Sequence, residues 1–250
     1  MKAVITGASS GLGADMARVL SDMGYDLILV ARRKTRLEKL KKELKTNVEI
    51  IPMDISSTFN CMELYNKIKK ENIEIFINNA GFGVFGEFSN IKLDKELDLI
   101  DLNIKTVHTL TKLVLKDFKE KDYGYILNVA SSAAFLPGPL MASYYASKAY
   151  VLNLTEAISE ELKRNNSNVY IGTLCPGPID TEFNDVAKVR FSVKALDSKY
   201  VAKYAIDNMF KNKRIIIPGF KMKTIVFFNK FLPKTIKLKI VYKIQKSKEK

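Results

Sequence analysis

Residues 2–20 read KAVITGASSGLGADMARVL. A short apolar run, KAVIT, ends in a turn with glycines at positions 7, 11 and 13, and the residues behind it carry helical spacing. Glycines let a backbone approach a pyrophosphate closely, and a helix N-terminus offers N–H groups and positive partial charge to it. Glycine turns after strands are common, so the remainder of the chain decides the reading.

Beyond this turn the chain alternates regularly. Apolar runs recur as YDLILVA (25–31), VEIIPM (48–53), IEIFINNAG (73–81), YGYILNVAS (123–131), NVYIGTLCPG (168–177) and RIIIPG (214–219). Between them lie segments with helical spacing: KTRLEKLKKEL, CMELYNKIKKE, and stretches over about 92–120, 143–165 and 198–211. Strands that are apolar throughout, alternating with helices, predict a parallel sheet covered on both faces. The fold class is therefore α/β, a doubly wound parallel sheet of about seven strands with helices on both faces. In such a sheet, ligands bind beyond the carboxyl ends of the strands. Residues 1–219 read as one dinucleotide-binding catalytic domain, and 220–250 as a basic amphipathic C-terminal extension.

Composition narrows the class further. With 250 residues and 47% hydrophobic content, the chain can bury one large core. No apolar run approaches the length of a membrane span, and the N-terminus does not read as a signal peptide. Cys61 and Cys175 lie outside any CxxC pattern, so free thiols in a cytoplasmic protein are expected. A single histidine, His108, and two cysteines argue against a catalytic zinc site, and His108 reads as a packed or interface residue. Of the net charge of +14, residues 211–250 hold 13 Lys/Arg against one acid. The other 210 residues hold 28 basic and 26 acidic groups, so the body is nearly neutral.

The second strand ends in LVARRKTR (29–36), with no acid. An NAD site places an acid there for the ribose 2′-hydroxyl, whereas an NADP site accommodates a 2′-phosphate with arginine. Arg32 and Arg33 therefore point to NADP(H), unless they merely begin a solvated helix. Farther on, SYYASKAY (143–150) sets two phenols beside one lysine, Tyr144 at i,i+4 and Tyr145 at i,i+3 from Lys148. Either spacing shares a helix face.

Six motifs agree in order: TGASSGLG, NNAG (78–81), Asn103 in DLNIKT, NVASS (128–132), YYASK (144–148) and PGPIDT (176–181). Over roughly residues 1–218 the chain resembles the short-chain dehydrogenase/reductase family, with its Rossmann-type fold, in an NADP-type subgroup like the ketoacyl and steroid reductases. The family's Tyr-x-x-x-Lys signature selects Tyr144 with Lys148. Its serine, 13 residues before the tyrosine, falls on Ser131. The resemblance implies that Lys148 also holds the nicotinamide ribose and that Asn103 anchors a proton-relay water. It places Gly7, Ser9, Ser10, Gly11, Leu12 and Gly13 on the cofactor's phosphates, and Asp54 and Ile55 on its adenine. It sets Asn79, with Ala80 and Gly81, by the adjoining ribose; Pro176 and Gly177 lead to Ile179 and Thr181 at the carboxamide. Ser10 stands where many NADP-dependent relatives carry Arg or Lys, which leaves Arg32 as the main 2′-phosphate ligand and Arg33 beside it. A homodimer or homotetramer is also implied.

The chemistry comes from the groups themselves. Carbonyl reduction needs hydride at carbon and a proton at oxygen, and a phenol with a pKa near 10 can donate that proton. A neighbouring Lys148 ammonium is expected to bring Tyr144 nearer to working pH, and Ser131 to hydrogen-bond the same oxygen. The leading function is reversible NADP(H)-dependent reduction of an apolar or acyl-chain ketone or aldehyde. A dinucleotide-binding regulator without turnover, or a membrane-surface interaction protein, is the alternative. Phe82, Val84, Phe85, Phe135, Leu136 and Phe183 flank the motifs and suit either an apolar pocket or the core.

The tail beyond residue 219 departs from the rest. On a helix after Pro233, Lys239, Lys243 and Lys246 share one stripe opposite an apolar face; residues 236–244 also nearly alternate, which suits a strand. An amphipathic element on anionic lipid and a helical pair docked over the substrate cleft or on another subunit both fit. Nucleic acid does not, because the tail is too apolar and the fold offers no reading helix.

Overall fold

The computed structural model describes residues 1–182 and 195–247; Phe183 lies outside the described residues. Among the described residues, seven parallel strands form one sheet in the order β3-β2-β1-β4-β5-β6-β7. They are β1 Lys2–Thr6, β2 Asp26–Ala31, β3 Val48–Pro52, β4 Ile73–Asn78, β5 Gly124–Val129, β6 Val169–Leu174 and β7 Ile215–Ile216. The chain starts in the middle, winds outward to β3, returns to β4 beside β1, and winds outward again to β7. The point of reversal between β1 and β4 is where a doubly wound sheet opens a crevice at its carboxyl edge.

The helices that cover it are α1 Gly11–Asp22, α2 Lys34–Glu43, α3 Thr58–Ile68, α4 Leu93–Ile100, α5 Val107–Glu120, α6 Ala142–Arg164 and α7 Ser198–Met209. Successive strand side chains point to opposite faces, and here both faces are buried. Ile5, Leu29, Ile77 and Leu127 pack in one core with Leu20 of α1 and Ile206 of α7. Their neighbours Val4, Ile28, Phe76 and Ile126 pack in the other with Leu64 of α3 and Leu110 of α5. Complete burial of such side chains contributes about 1.5–3 kcal/mol each. The one charged residue of β4, Glu74, is buried and accepts hydrogen bonds from the Tyr25 and Tyr123 hydroxyls at 3.0 and 2.8 Å.

Two segments differ from the sequence reading. The pattern over 92–120 is helical throughout, as read, but not uniformly α: a π-helical turn, Asp101–Thr106, lies between α4 and α5. Such a turn inserts an extra residue into the ladder and is frequent at functional sites. The last strand is much shorter than RIIIPG, because only Ile215 and Ile216 pair with β6. Beyond it, the tail forms two helices, α8 Phe220–Asn229 and α9 Lys234–Lys246, rather than a strand. Pro233 precedes the first turn of α9, where its missing N–H costs nothing.

Candidate active site

Every strand that ends at the crevice contributes to a single cavity of about 800 Å³. Its floor is the turn after β1. Gly7 has φ +67°, a region L side chains rarely adopt, and a Cβ there would stand 2.8 Å from Ala80 Cα. Gly13 lies so close to the same turn that a Cβ would meet the Gly7 carbonyl oxygen at 2.5 Å. The Asn79 amide ties β1 to β4, donating to the Thr6 and Gly7 carbonyls at 3.0 and 3.2 Å. The Thr6 hydroxyl accepts from the Asn79 and Ala80 N–H groups at 3.0 and 3.1 Å. The loop is thus held from both sides, and its helix is open at the front. Ser10, at the N-cap of α1, makes no side-chain cap, and the first turn has no acid. Such an end receives an anion through backbone N–H groups and the helix dipole. A dinucleotide pyrophosphate fits this cradle, with Ser9, Gly11 and Leu12 along its wall.

The structure separates two arginines that are adjacent in sequence. Arg33 folds over the loop: its guanidinium donates to Ser10 Oγ at 2.8 Å and to Ser9 Oγ at 3.1 Å. Across the cavity it pairs with Glu182 at 2.9 Å, and Arg36 reaches the same carboxylate. Arg32 is largely exposed, its side chain 74% accessible, with Asp54 at 3.9 Å. Ser10 therefore lacks a cation of its own but has Arg33 laid upon it. Glu182 adjoins Thr181, and nothing in the sequence marks it beyond its charge. Asp54 accepts from the Ser56 N–H at 3.0 Å, and Ile55 is buried with its carbonyl accepting from Thr106 Oγ1 at 2.5 Å.

At the other end of the cavity stand Ser131, Tyr144 and Lys148, with Asn103 buried behind its wall. Ser131 follows β5, where its Oγ accepts from the Ala133 N–H at 3.1 Å and caps the short 3-10 turn Ser132–Phe135. The Ser132 N–H donates to the Pro176 carbonyl at 2.8 Å, locking this turn to the chain after β6. Tyr144 and Lys148 sit one turn apart on the buried face of α6. Lys148 Nζ donates to the Val129 carbonyl at 3.0 Å and lies 5.8 Å from the centre of the Tyr144 ring. Gly81 leaves room for it: a Cβ at that position would lie 3.0 Å from Asn103 Oδ1 and 3.3 Å from Lys148 Nζ.

Asn103 occupies the π-helical turn and is fully buried. Its Oδ1 accepts from the Phe82 N–H at 3.1 Å, and its Nδ2 donates to the Phe82 carbonyl at 2.9 Å and to Ser147 Oγ at 3.1 Å. Ser147 in turn donates to the Tyr144 carbonyl at 2.7 Å. The π turn is thus coupled, through Asn103 and Ser147, to the backbone of the candidate acid. Ser147 lies inside the YYASK motif, yet nothing in the Tyr-x-x-x-Lys spacing marks it.

Electrostatics correct one expectation. Burial pushes the Tyr144 phenol up to about 12, against which a Ser131 hydrogen bond pulls it down. Burial likewise pulls Lys148 down to about 8. Lys148 does not bring Tyr144 toward neutral pH here, because its ammonium is aimed at the Val129 carbonyl and both groups are desolvated. The phenol is therefore protonated throughout the physiological range, which suits a proton donor.

Tyr145 lies against Tyr144 edge to face, ring centres 6.1 Å apart, but its hydroxyl accepts from Gln245 Nε2 at 2.5 Å. That partner lies 100 residues away on α9 and left no local signal in the sequence. Pro176, Gly177, Ile179 and Thr181 complete the wall near α8. Phe82, Val84 and Phe85 pack together with Tyr144, Tyr145 and Met141. His108 stands on α5, its Nδ1 2.6 Å from the Tyr150 hydroxyl, and does not line the cavity.

A family model described as short chain dehydrogenase matches residues 1–189. The very-long-chain 3-oxoacyl-CoA reductase of Homo sapiens is 31% identical over 198 residues, 75% of this chain and 61% of that protein. Among solved structures, a short-chain dehydrogenase from Sphingobium yanoikuyae in complex with NADPH superposes with a TM-score of 0.81 at 29% identity, covering 88% of each chain. The bulky-bulky ketone specific alcohol dehydrogenase from Comamonas testosteroni gives 0.77 at 28% identity, covering 88% of this chain and 86% of that one.

Proposed function

The chain belongs to the short-chain dehydrogenase family, and we propose that this member is an NADPH-dependent reductase of apolar or acyl-chain ketones or aldehydes, reversible as an alcohol dehydrogenase. The observation that carries the reading is a phenol kept protonated by burial, with Ser131 hydrogen-bonded beside it, at the wall of an apolar cavity. When bound, NADPH supplies the hydride. Tyr144 donates the proton to the carbonyl oxygen, and Ser131 stabilises negative charge as it forms there. Lys148 holds the nicotinamide ribose, and Asn103, through Ser147, fixes the helix turn that carries Tyr144. The 3-oxoacyl reductase and the ketone-specific dehydrogenase that resemble this chain support the substrate class. The protein works as a homodimer or homotetramer, with residues 1–219 as catalytic domain.

Purified protein should oxidise NADPH when given ketones, faster as the apolar chain lengthens. Failure with every carbonyl offered, despite NADPH binding, would leave the non-catalytic dinucleotide binder as the better account.

Cofactor choice rests on Arg33 in this reading, with Arg32 secondary. A charge-assisted hydrogen bond contributes about 1.5–3 kcal/mol. Arg33→Ala should therefore raise the KM for NADPH by roughly tenfold or more and leave that for NADH nearly unchanged. Arg32→Ala should do little, since its side chain is mostly in water. Equal loss for both cofactors in Arg33→Ala would assign that residue to loop structure instead.

A further inference from the structure

The tail presents two working faces. Its inner face closes the catalytic cavity: Val226 is buried, Asn229 Nδ2 donates to the Phe135 carbonyl at 3.1 Å, and Gln245 holds Tyr145. Its outer face is unusually apolar. Of twenty large apolar side chains exposed among the described residues, ten fall between Phe220 and Ile244. Five of those, Ile225, Phe228, Leu232, Ile240 and Ile244, also line the cavity. The cavity mouth and the exposed patch are therefore one continuous apolar surface.

Charge identifies what faces it. Lys221, Lys234, Lys239, Lys243 and Lys246 stand exposed on the same two helices, and Lys230 at the end of the first. Among the described residues, no lysine from 221 to 246 is ion-paired to a carboxylate. A second copy of the chain would bring 13 further basic groups and one acid from residues 211–250 against this face. That arrangement is repulsive, whereas anionic headgroups neutralise the lysines while the apolar side chains enter the acyl boundary. No helix of the described residues is long and apolar enough to cross a membrane, so the contact is superficial.

We infer that α8 and α9 form a membrane-docking roof: they seat the cavity mouth on an anionic bilayer, from which a lipophilic carbonyl compound enters directly. The substrate part rests on the reductase reading; the docking part does not. Lys239 and Lys243 lie outside the cavity wall, as does Phe231, which is 72% exposed.

The full chain is mixed with vesicles of phosphatidylcholine alone or with phosphatidylglycerol, sedimented, and assayed with a short soluble ketone and with a long-chain ketone dissolved in the vesicles. Binding is expected to the anionic vesicles only, and high salt should weaken it. Lys239→Gln with Lys243→Gln should lower partition on the order of thirty-fold, from about fivefold per lysine. Turnover of the soluble ketone should stay unchanged, while turnover of the vesicle-borne ketone falls with binding. Phe231→Ser should weaken binding even in salt that screens the lysines. No anionic-vesicle binding by the wild type overturns the proposal. So does a wild-type oligomer that Phe231→Ser dissociates, because the face is then a subunit interface. Vesicle binding without turnover of any ketone would keep the docking surface and remove only the reductase reading.

Discussion

Replacing Tyr144 with phenylalanine is expected to lower carbonyl turnover by about 10²–10⁴-fold while NADPH still binds, since a positioned proton donor contributes on that order. The phenol is buried, and desolvation keeps its proton on well above neutral pH, at about 12. Water cannot readily take over the role, because the hydroxyl stands in a desolvated pocket beside Ser131 rather than in solvent. The substitution deletes one oxygen and leaves the ring's packing against Leu99 and Met141, so folding should be little affected. Tyr145→Phe is the control. Its hydroxyl is committed to Gln245, so its loss should cost about 1 kcal/mol of tail docking and little turnover. Measuring kcat together with NADPH binding for both variants decides the matter. A dead Tyr145→Phe beside an active Tyr144→Phe would mean that the neighbouring phenol is the acid.

The contrast between these two tyrosines also shows what a linear sequence can carry. The sheet was legible because each strand is apolar at both parities, as in Val4 and Ile5 or Phe76 and Ile77, which only a sheet covered on both faces requires. The phosphate turn was legible because Gly7 and Gly13 answer local backbone constraints. The relation of Asn103 to Phe82 and Ser147 was not. A π turn differs from an α-helix by one hydrogen-bond step and leaves no change in hydrophobic period over six residues. Likewise, LVARRKTR presents two equivalent arginines. Only the fold shows that Arg33 faces Ser9 and Ser10 while Arg32 faces solvent and Asp54. Contacts such as Gln245 with Tyr145 or Glu182 with Arg33 join segments that no local pattern relates.

Lys148→Met should separate stability from activity. Lys148 is 5% exposed, and burial holds its ammonium near pKa 8, below the ordinary 10.5. Between those two values the unfolded chain binds the proton and the folded chain does not, so this group makes stability rise with pH across that window. Below about pH 8 both states are protonated and the full penalty applies, on the order of 3 kcal/mol from the size of the shift. Methionine has a similar reach and no charge. At pH 7 the cofactor-free variant should therefore melt at a higher temperature than the wild type, although the Val129 carbonyl loses its donor, a cost of about 1 kcal/mol. Well above pH 10.5 the advantage should vanish, because neither state of the wild type then carries the charge. Activity should move the other way, falling at least about 10²-fold, because the proposed contact to the cofactor's ribose and the ammonium 5.8 Å from the Tyr144 ring are both lost. In the wild type, ketone reduction should decline above about pH 8 as the Lys148 ammonium is lost. Melting curves at pH 7 and well above pH 10.5, with a pH–rate profile, test both halves. A variant that is less stable at pH 7 would show that the ammonium stabilises the folded enzyme instead of being tolerated for its chemistry.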